Sequence, residues 1–271
     1  MEEALRAGIR ILAITDHDTF SGYQKALPQA LELGLELMCG IELSTKLGGE
    51  SVHVLGYFFS DDGPTTEFCD WILEIQANRR DRNIRLIARL QELGFEITLD
   101  EVQARGRGLT GRPHFAQMML EKGYVATLQQ AFDLYLDESA KGYVYRREPQ
   151  FAEGVERIRA AGGIASLAHP VRISRDMRAL MPELCAAGLD AIEVYHSDHE
   201  AQHVELYLQL AKQYRLLITG GSDFHGSVKP DISLGTGRKG NLKLPIRLVD
   251  RLREAKKNRG TIPPIVLGDL N

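Results

Sequence analysis

The chain has 271 residues, of which 44 % are apolar and 26 % charged, with a formal net charge of −4. That length suits one large α/β domain or two smaller ones. The composition is that of an ordinary soluble globular protein, and the acidic balance argues against broad binding to a nucleic-acid backbone, leaving only a local basic site open.

No apolar run approaches the roughly 18 residues of a membrane span. The three cysteines (Cys39, Cys69, Cys185) are scattered and form no disulfide framework. A cytoplasmic protein without membrane contact is expected.

Met1–Gly8 reads as the last two turns of a helix closed by Gly8. Arg10–Ile14 is a short apolar strand that stops abruptly in Asp16-His17-Asp18, and Asp18 and Ser21 are expected to cap the next helix. Ala26, Leu27, Ala30, Leu31 and Leu33 give that helix its apolar stripe up to Gly34. Leu35–Leu43 is a second strand carrying Glu42, and Ser51–Phe59, after Gly48-Gly49, is a third carrying His53.

The texture changes at Asp61-Asp62-Gly63-Pro64. Residues 65–94 read as one long helix with Phe68, Trp71, Ile72, Ile75, Ile84, Ile87 and Leu90 on one side. Its run Arg79-Arg80-Asp81-Arg82 is read as a solvated face. Shorter helical pieces cover 99–105, 111–122 and 127–137, so residues 61–140 form an all-helical insertion. The α/β domain is then discontinuous, 1–60 and 141–260.

Alternation returns at Phe151. Helix 151–161 precedes strand Ile164–Ala168, which ends in His169-Pro170. Helix 176–187 precedes strand Ala191–Tyr195, which ends in His196-Ser197-Asp198-His199. Helix 200–214 precedes strand Leu216–Thr219, which runs into Ser222-Asp223-Phe224-His225. A helix over 245–257 and a loose tail, Thr261–Asn271, complete the chain. Repeated βα units imply a parallel sheet, and their number a barrel.

Three of the eight histidines (His17, His169, His225) follow directly on an apolar strand, and His196 closes a fourth. One strand-end histidine has ordinary explanations. Four are hard to dismiss, because a barrel brings such ends together. Imidazoles with carboxylates and no thiolates suit Zn, Mn or Fe. Metals held this way make hydroxide from water near neutral pH and clamp a phosphoryl group. No phosphate-binding glycine loop and no GxSxG elbow is present. His199 and His203 fall on the solvent side of their helix by spacing.

Ala13-Ile14-Thr15-Asp16-His17-Asp18-Thr19, Gly40-Ile41-Glu42, Val52-His53-Val54-Leu55-Gly56-Tyr57, Ala168-His169-Pro170 and Gly221-Ser222-Asp223-Phe224-His225, in this order, resemble the polymerase and histidinol phosphatase (PHP) family. The stretch Thr110-Gly111-Arg112-Pro113-His114-Phe115-Ala116 resembles its branch of nucleoside 3′,5′-bisphosphate phosphatases and 5′–3′ exoribonucleases of short RNA. The resemblance implies an α/β fold, a distorted (β/α)7 TIM-like barrel, with two or three divalent metals (Mn, Fe or Zn). Carried over by position, His17, Glu42, His53, His169, Asp223 and His225 are the metal ligands, with Glu42 bridging. Arg112 and His114 hold a substrate phosphate, or else form a helix N-terminus kept by local contacts. Asp16 and Asp198 either orient ligating imidazoles or make ordinary loop hydrogen bonds. His196 touches substrate or metal, or makes a surface hydrogen bond.

The family's opening His-x-His strand has no counterpart here. By analogy about 20–25 residues, one βα unit, are missing ahead of Met1. The expectation is a late start codon, and a chain that, begun at Met1, has an incomplete metal site and weak or no activity. The expected reaction is hydrolysis of the 5′-phosphate of nucleoside 3′,5′-bisphosphates and, by extension, of short 5′-phosphorylated RNA. Histidinol phosphate or another small phosphomonoester is the second reading, and a non-catalytic phosphate-binding protein the third.

Overall fold

The structure is a computed structural model that describes residues 1–59, 63–105 and 109–258. Asp61, Asp62 and the expected loose tail 261–271 lie outside the described residues. Helix α1 (Glu2–Arg6) leads into strand β1 (Ile11–Ile14), and α2 (Ser21–Glu32) into β2 (Glu36–Leu47) and β3 (Glu50–Phe58). Helices α3 (Thr66–Glu92), α4 (Leu99–Gln103), α5 (Arg112–Glu121) and α6 (Leu128–Ala131) follow, and α6 runs on into a π turn over Phe132–Leu136. Then α7 (Phe151–Ala160), β4 (Ile164–Leu167), α8 (Met177–Ala186), β5 (Ala191–His196), α9 (Ala201–Tyr214) and β6 (Leu217–Gly221) alternate. A small ribbon, β7 (Ile232–Ser233) with β8 (Gly237–Arg238), and α10 (Arg247–Lys257) come last.

The chain divides into two compact units, one of Met1–Phe68 with Pro149–Asn271 and one of Cys69–Glu148. In the first, strands β1 to β6 lie side by side in sequence order as a six-stranded half-barrel. Pairs β1–β2, β4–β5 and β5–β6 are parallel, but β2–β3 and β3–β4 are antiparallel. The expected parallel sheet is therefore corrected to a mixed one. Gly48 and Gly49 are the reason: both take positive φ, 60° and 89°, which sets up a two-residue hairpin turn. A parallel return would have needed a crossover of a dozen residues or more.

This reversal positions the site. The parallel strands deliver their histidines from their C-terminal ends. Antiparallel β3 delivers His53 from near its start, where it pairs with Ser44, and the His53 carbonyl accepts the Ala168 N–H at 3.1 Å. Below this edge Ile41, Leu43, Val54, Leu167, Ile192 and Val194 are buried, each worth about 1.5–3 kcal/mol of burial. Helix α7 packs tightly on the sheet: a Cβ on Gly56 would stand 3.0 Å from Ile41 Cγ2 and 3.3 Å from Ile158.

The helical unit has its own core of Leu86, Ile87, Leu90, Ile97, Val102, Phe115, Met118, Met119 and Leu136. Helix α4 starts in a capping box: Thr98 Oγ1 accepts the Glu101 N–H, and Glu101 Oε2 accepts the Thr98 N–H. Two readings of α3 are corrected. Ile84 is exposed, and Arg79 and Arg82 are buried. The buried stripe at helical spacing runs Ile72, Ile75, Arg79, Arg82, Leu86, Leu90, so two arginines continue a row that apolar residues begin and end.

Candidate metal centre

Glu42 is the buried hub of the barrel unit's site. Its Oε1 lies 2.7 Å from His53 Nδ1 and 2.9 Å from His169 Nε2, and its Oε2 lies 3.7 Å from His17 Nε2. His53 Nδ1 and His169 Nε2 are 3.3 Å apart. Ligand atoms of His17, Glu42 and His53 all fall within 4.8 Å of one another. Burial pushes the Glu42 carboxyl up, but the His17 and His53 charges and the hydrogen bonds from His169 and His53 outweigh it and hold it well below the carboxylate range. Burial lowers the His169 pKa.

Beside this group stands Asp223, with φ +52°. Its Oδ2 receives Lys229 Nζ at 2.6 Å and Arg172 Nη2 at 2.8 Å, and lies 3.7 Å from His196 Nε2. Burial raises the Asp223 carboxyl, but His196 and Lys229 hold it far below its usual range. Arg172 Nη2 also reaches Asp198 at 2.6 Å, and Arg238 meets the same carboxylate at 3.1 Å. His225 Nδ1 sits 2.7 Å from the Asp223 carbonyl and 3.5 Å from Asp223 Oδ1. The site is thus a nest of imidazoles on one carboxylate, flanked by two cations on a second.

No protein-family model matches the chain. Its relatives are specific. A 5′–3′ exoribonuclease of Haemophilus influenzae is 30 % identical over 228 residues, covering 83 % of this chain and 82 % of its own length. A phosphoribosyl 1,2-cyclic phosphate 1,2-diphosphodiesterase of Eggerthella lenta is 31 % identical, covering 83 % and 87 %. A 3′,5′-nucleoside bisphosphate phosphatase of Chromobacterium violaceum is 28 % identical, covering 79 % and 76 %. A structure from Bifidobacterium adolescentis, described as a metal-dependent phosphoesterase, superimposes with a TM-score of 0.77 at 30 % identity, covering 98 % of this chain and 91 % of that one.

The chain belongs to the PHP family.

It is a metal-dependent phosphoric ester hydrolase on a TIM-like barrel scaffold. The residues of this PHP protein fit divalent metal. Two imidazole nitrogens converge on one carboxylate oxygen, and buried His169 Nδ1 finds no hydrogen-bond partner. A histidine in an ordinary core would have both ring nitrogens matched. Donors of N and O type without thiolate suit Mn, Fe or Zn.

The remaining expected residues fall as follows. Asp16 accepts the Gly22 N–H rather than holding an imidazole; burial raises its pKa, and His225 and Glu42 are among its charged neighbours. Asp18 caps no helix: it is buried, its Oδ1 accepts the Ser44 N–H at 2.8 Å, and Phe20 stands at the N-cap of α2. Ser21 does not cap either; its N–H is held by Thr19 Oγ1 at 3.2 Å. His196 is buried, and its Nδ1 accepts the Asp198 N–H at 3.0 Å. The Asp198 side chain serves Arg172 and Arg238, and its Oδ2 lies 3.9 Å from His196 Nδ1. His199 is buried, not solvent-facing, with Nδ1 2.8 Å from the Val194 carbonyl; it precedes the first turn of α9 and so escapes that helix's periodicity. Arg112 and His114 belong to the helical unit. Arg112 Nη1 donates to the Leu136 carbonyl at 3.2 Å, and His114 Nδ1 accepts the Gly111 N–H at 3.1 Å.

Three residues of this PHP site escaped the sequence reading. Glu193, buried in β5, accepts the His169 N–H at 2.7 Å, and burial pushes its carboxyl up to about 7. Its signal was an acid inside an apolar strand. Arg172 and Lys229 carried a weaker one, cations a few residues beyond His169 and Asp223.

Proposed function

We propose that this enzyme removes the 5′-phosphate of nucleoside 3′,5′-bisphosphates and of short 5′-phosphorylated RNA. The observation that carries the reading is the convergence of His17, His53 and His169 on buried Glu42 beside an Asp223 already bearing Arg172 and Lys229. The choice of substrate is supported by the relatives named for bisphosphate phosphatase and exoribonuclease activity.

His17, Glu42, His53, His169, Asp223 and His225 would hold the metal, two or three ions of Mn, Fe or Zn. When bound, such ions lower the pKa of water and draw charge from phosphoryl oxygens. The chain's own residues do the rest. Arg172 offers a planar fork that matches a phosphate edge, and Lys229 adds a point charge. The bond from phosphorus to the 5′ oxygen breaks, the water oxygen takes its place, and a proton passes to the leaving oxygen. We assign that proton movement to Asp16 and His196. In the helical unit we carry Arg112 and His114 forward as phosphate ligands, His114 through Nε2 because its Nδ1 is used at the Gly111 cap. Three separate thiols favour the cytoplasm. Among the described residues no helix is long and apolar enough to cross a membrane.

The test is phosphate release by metal-loaded protein from adenosine 3′,5′-bisphosphate, a 5′-phosphorylated short RNA, histidinol phosphate and phosphoribosyl 1,2-cyclic phosphate. The last is included because of the 31 % identical diphosphodiesterase. Fastest release from the bisphosphate supports the reading. Turnover confined to histidinol phosphate or the cyclic ester, or none at all, overturns it.

A further inference from the structure

We propose that His199 is a positioning residue for the barrel unit's centre: through its Nδ1–H it holds the bulge in β5 that turns Glu193 and His196 onto one face. The consequence for catalysis rests on the phosphatase reading; the geometry does not.

Side chains alternate along a strand, so residues three apart point to opposite faces. Glu193 and His196 are three apart, yet both face the centre. Glu193 accepts the His169 N–H at 2.7 Å. The His196 ring centroid lies 5.8 Å from that of His169, and His196 Nε2 lies 3.7 Å from Asp223 Oδ2. Pairing with β6 gives the reason. Glu193 pairs with Thr219 and Tyr195 with Gly220, which leaves Val194 as an extra residue on β5. One extra residue shifts the alternation by one and brings His196 round to the side of Glu193. The bulge thus lets one short strand serve both His169 and Asp223.

A bulged residue is left out of the ladder, and its buried polar groups need another partner. Val194 is wholly buried, and its carbonyl lies 2.8 Å from His199 Nδ1. A carbonyl only accepts, so Nδ1 carries the proton. The chain bends to allow this contact. The His199 N–H donates to the His196 carbonyl at 3.0 Å, closing a turn that folds the ring back onto β5. Ser197 anchors the turn: its Oγ donates to the Ser222 carbonyl at 2.6 Å, and its own carbonyl accepts Asn241 Nδ2 at 2.9 Å. The His199 ring packs against those of His196 and of Tyr207 on α9, with centroids 5.1 Å and 5.0 Å away. Burial above all holds its pKa down at about 4, so the ring is neutral at pH 7 and its one N–H is the one at Val194. Its Nε2 is buried without a hydrogen-bond partner among the described residues. A phenyl ring would fill the same space without that cost. What the imidazole adds is the donor at the bulge.

The experiment compares the full-length wild type with His199→Phe and His199→Asn. The first substitution keeps a ring and removes the donor. The second loses the ring and places an amide N–H where Nδ1–H stood. One readout is hydrogen exchange of the His169 amide, followed by NMR in chelator-treated protein, with the Ile158 amide of α7 as internal reference. Expected is exchange of His169 faster by roughly tenfold or more in His199→Phe, with Ile158 unchanged, and near wild-type exchange in His199→Asn. The other readout is turnover of the ester that the wild type hydrolyses fastest. In His199→Phe kcat should fall roughly tenfold or more with KM within about twofold, and in His199→Asn it should recover. Unchanged His169 exchange or unchanged kcat in His199→Phe, or equal losses in the two variants, overturns the proposal. If the wild type hydrolyses no ester, the phosphatase reading fails and the exchange rates alone decide. Should His199→Phe not fold, His199→Met takes its place, a flexible side chain with no donor: wild-type exchange at His169 in that variant overturns the proposal.

Discussion

Glu193 accepts the backbone N–H of His169 at 2.7 Å, across the parallel pair β4–β5. His169 sits at φ +27°, a conformation that a side chain adopts only when its surroundings insist. Glu193→Ala is expected to leave that N–H unmatched and to cost about 1–3 kcal/mol. It should also release metal more readily, because His169 is no longer aimed. Urea unfolding and equilibrium dialysis measure the two effects. Unchanged metal retention would show that β4 alone orients the ring.

Glu42 answers three imidazoles. Glu42→Gln is expected to lower phosphate release at least 100-fold, beyond the roughly 10–100-fold seen when a group behind a metal ligand is changed. Chelation of the wild type should abolish turnover, and added Mn or Zn should restore it. Turnover that survives both treatments would remove Glu42 from the centre.

Asp198 supplies a pH dependence. Burial raises its pKa, but hydrogen bonds from Arg172 and Arg238 win and bring it down to about 2. A depressed carboxylate pKa stabilises the fold above the unfolded value near 4, and that stabilisation drains away as pH falls towards 2. Since Asp198 is partly exposed, about 1 kcal/mol is expected after allowing for solvent screening. The wild type should therefore exceed Asp198→Asn in stability at pH 6, and the gap should shrink by pH 3. A gap that is flat or grows on acidification would contradict the two arginine contacts.

Gly22 tests Asp16. A Cβ there would stand 1.9 Å from Asp16 Oδ2. Gly22→Ala is expected to push the carboxylate off the Gly22 N–H and lower kcat tenfold or more with metal content unchanged, as removal of a proton-transfer group does. Full kcat in Gly22→Ala, with a displaced Asp16, would mean that Asp16 is a loop residue only.

Phe115 is wholly buried in the helical unit. Phe115→Ala is expected to cost about 3–5 kcal/mol. Calorimetric unfolding should show the loss, and a change below 1 kcal/mol would mean that the helical core collapses around the gap.

The strand-end histidines were visible in the sequence because each signal is local. His17 and His169 follow short apolar runs, and Glu42 and His53 interrupt longer ones. The same local reading mistook Arg79 and Arg82 for a solvated face. Charge suggests exposure, yet their spacing continues the buried stripe from Ile75 to Leu86. Glu193 was lost in the apolar run of β5, since nothing nearby in the chain shows its partner, 24 positions away.

By itself, the sequence determined the order of the elements and the strand ends on which imidazoles and carboxylates stand, because periodicity and capping act within a turn or two of chain. Which of those groups meet was decided by the tertiary structure. His53 and His169 are 116 positions apart. They touch because the Gly48-Gly49 turn reverses β3, so that a histidine near the start of one strand reaches the edge where its parallel neighbours end. The pairing of Asp198 with two arginines and the burial of Arg82 are of the same kind. Each depends on desolvation and on charges brought near by distant segments, neither of which is written in any local stretch of the chain.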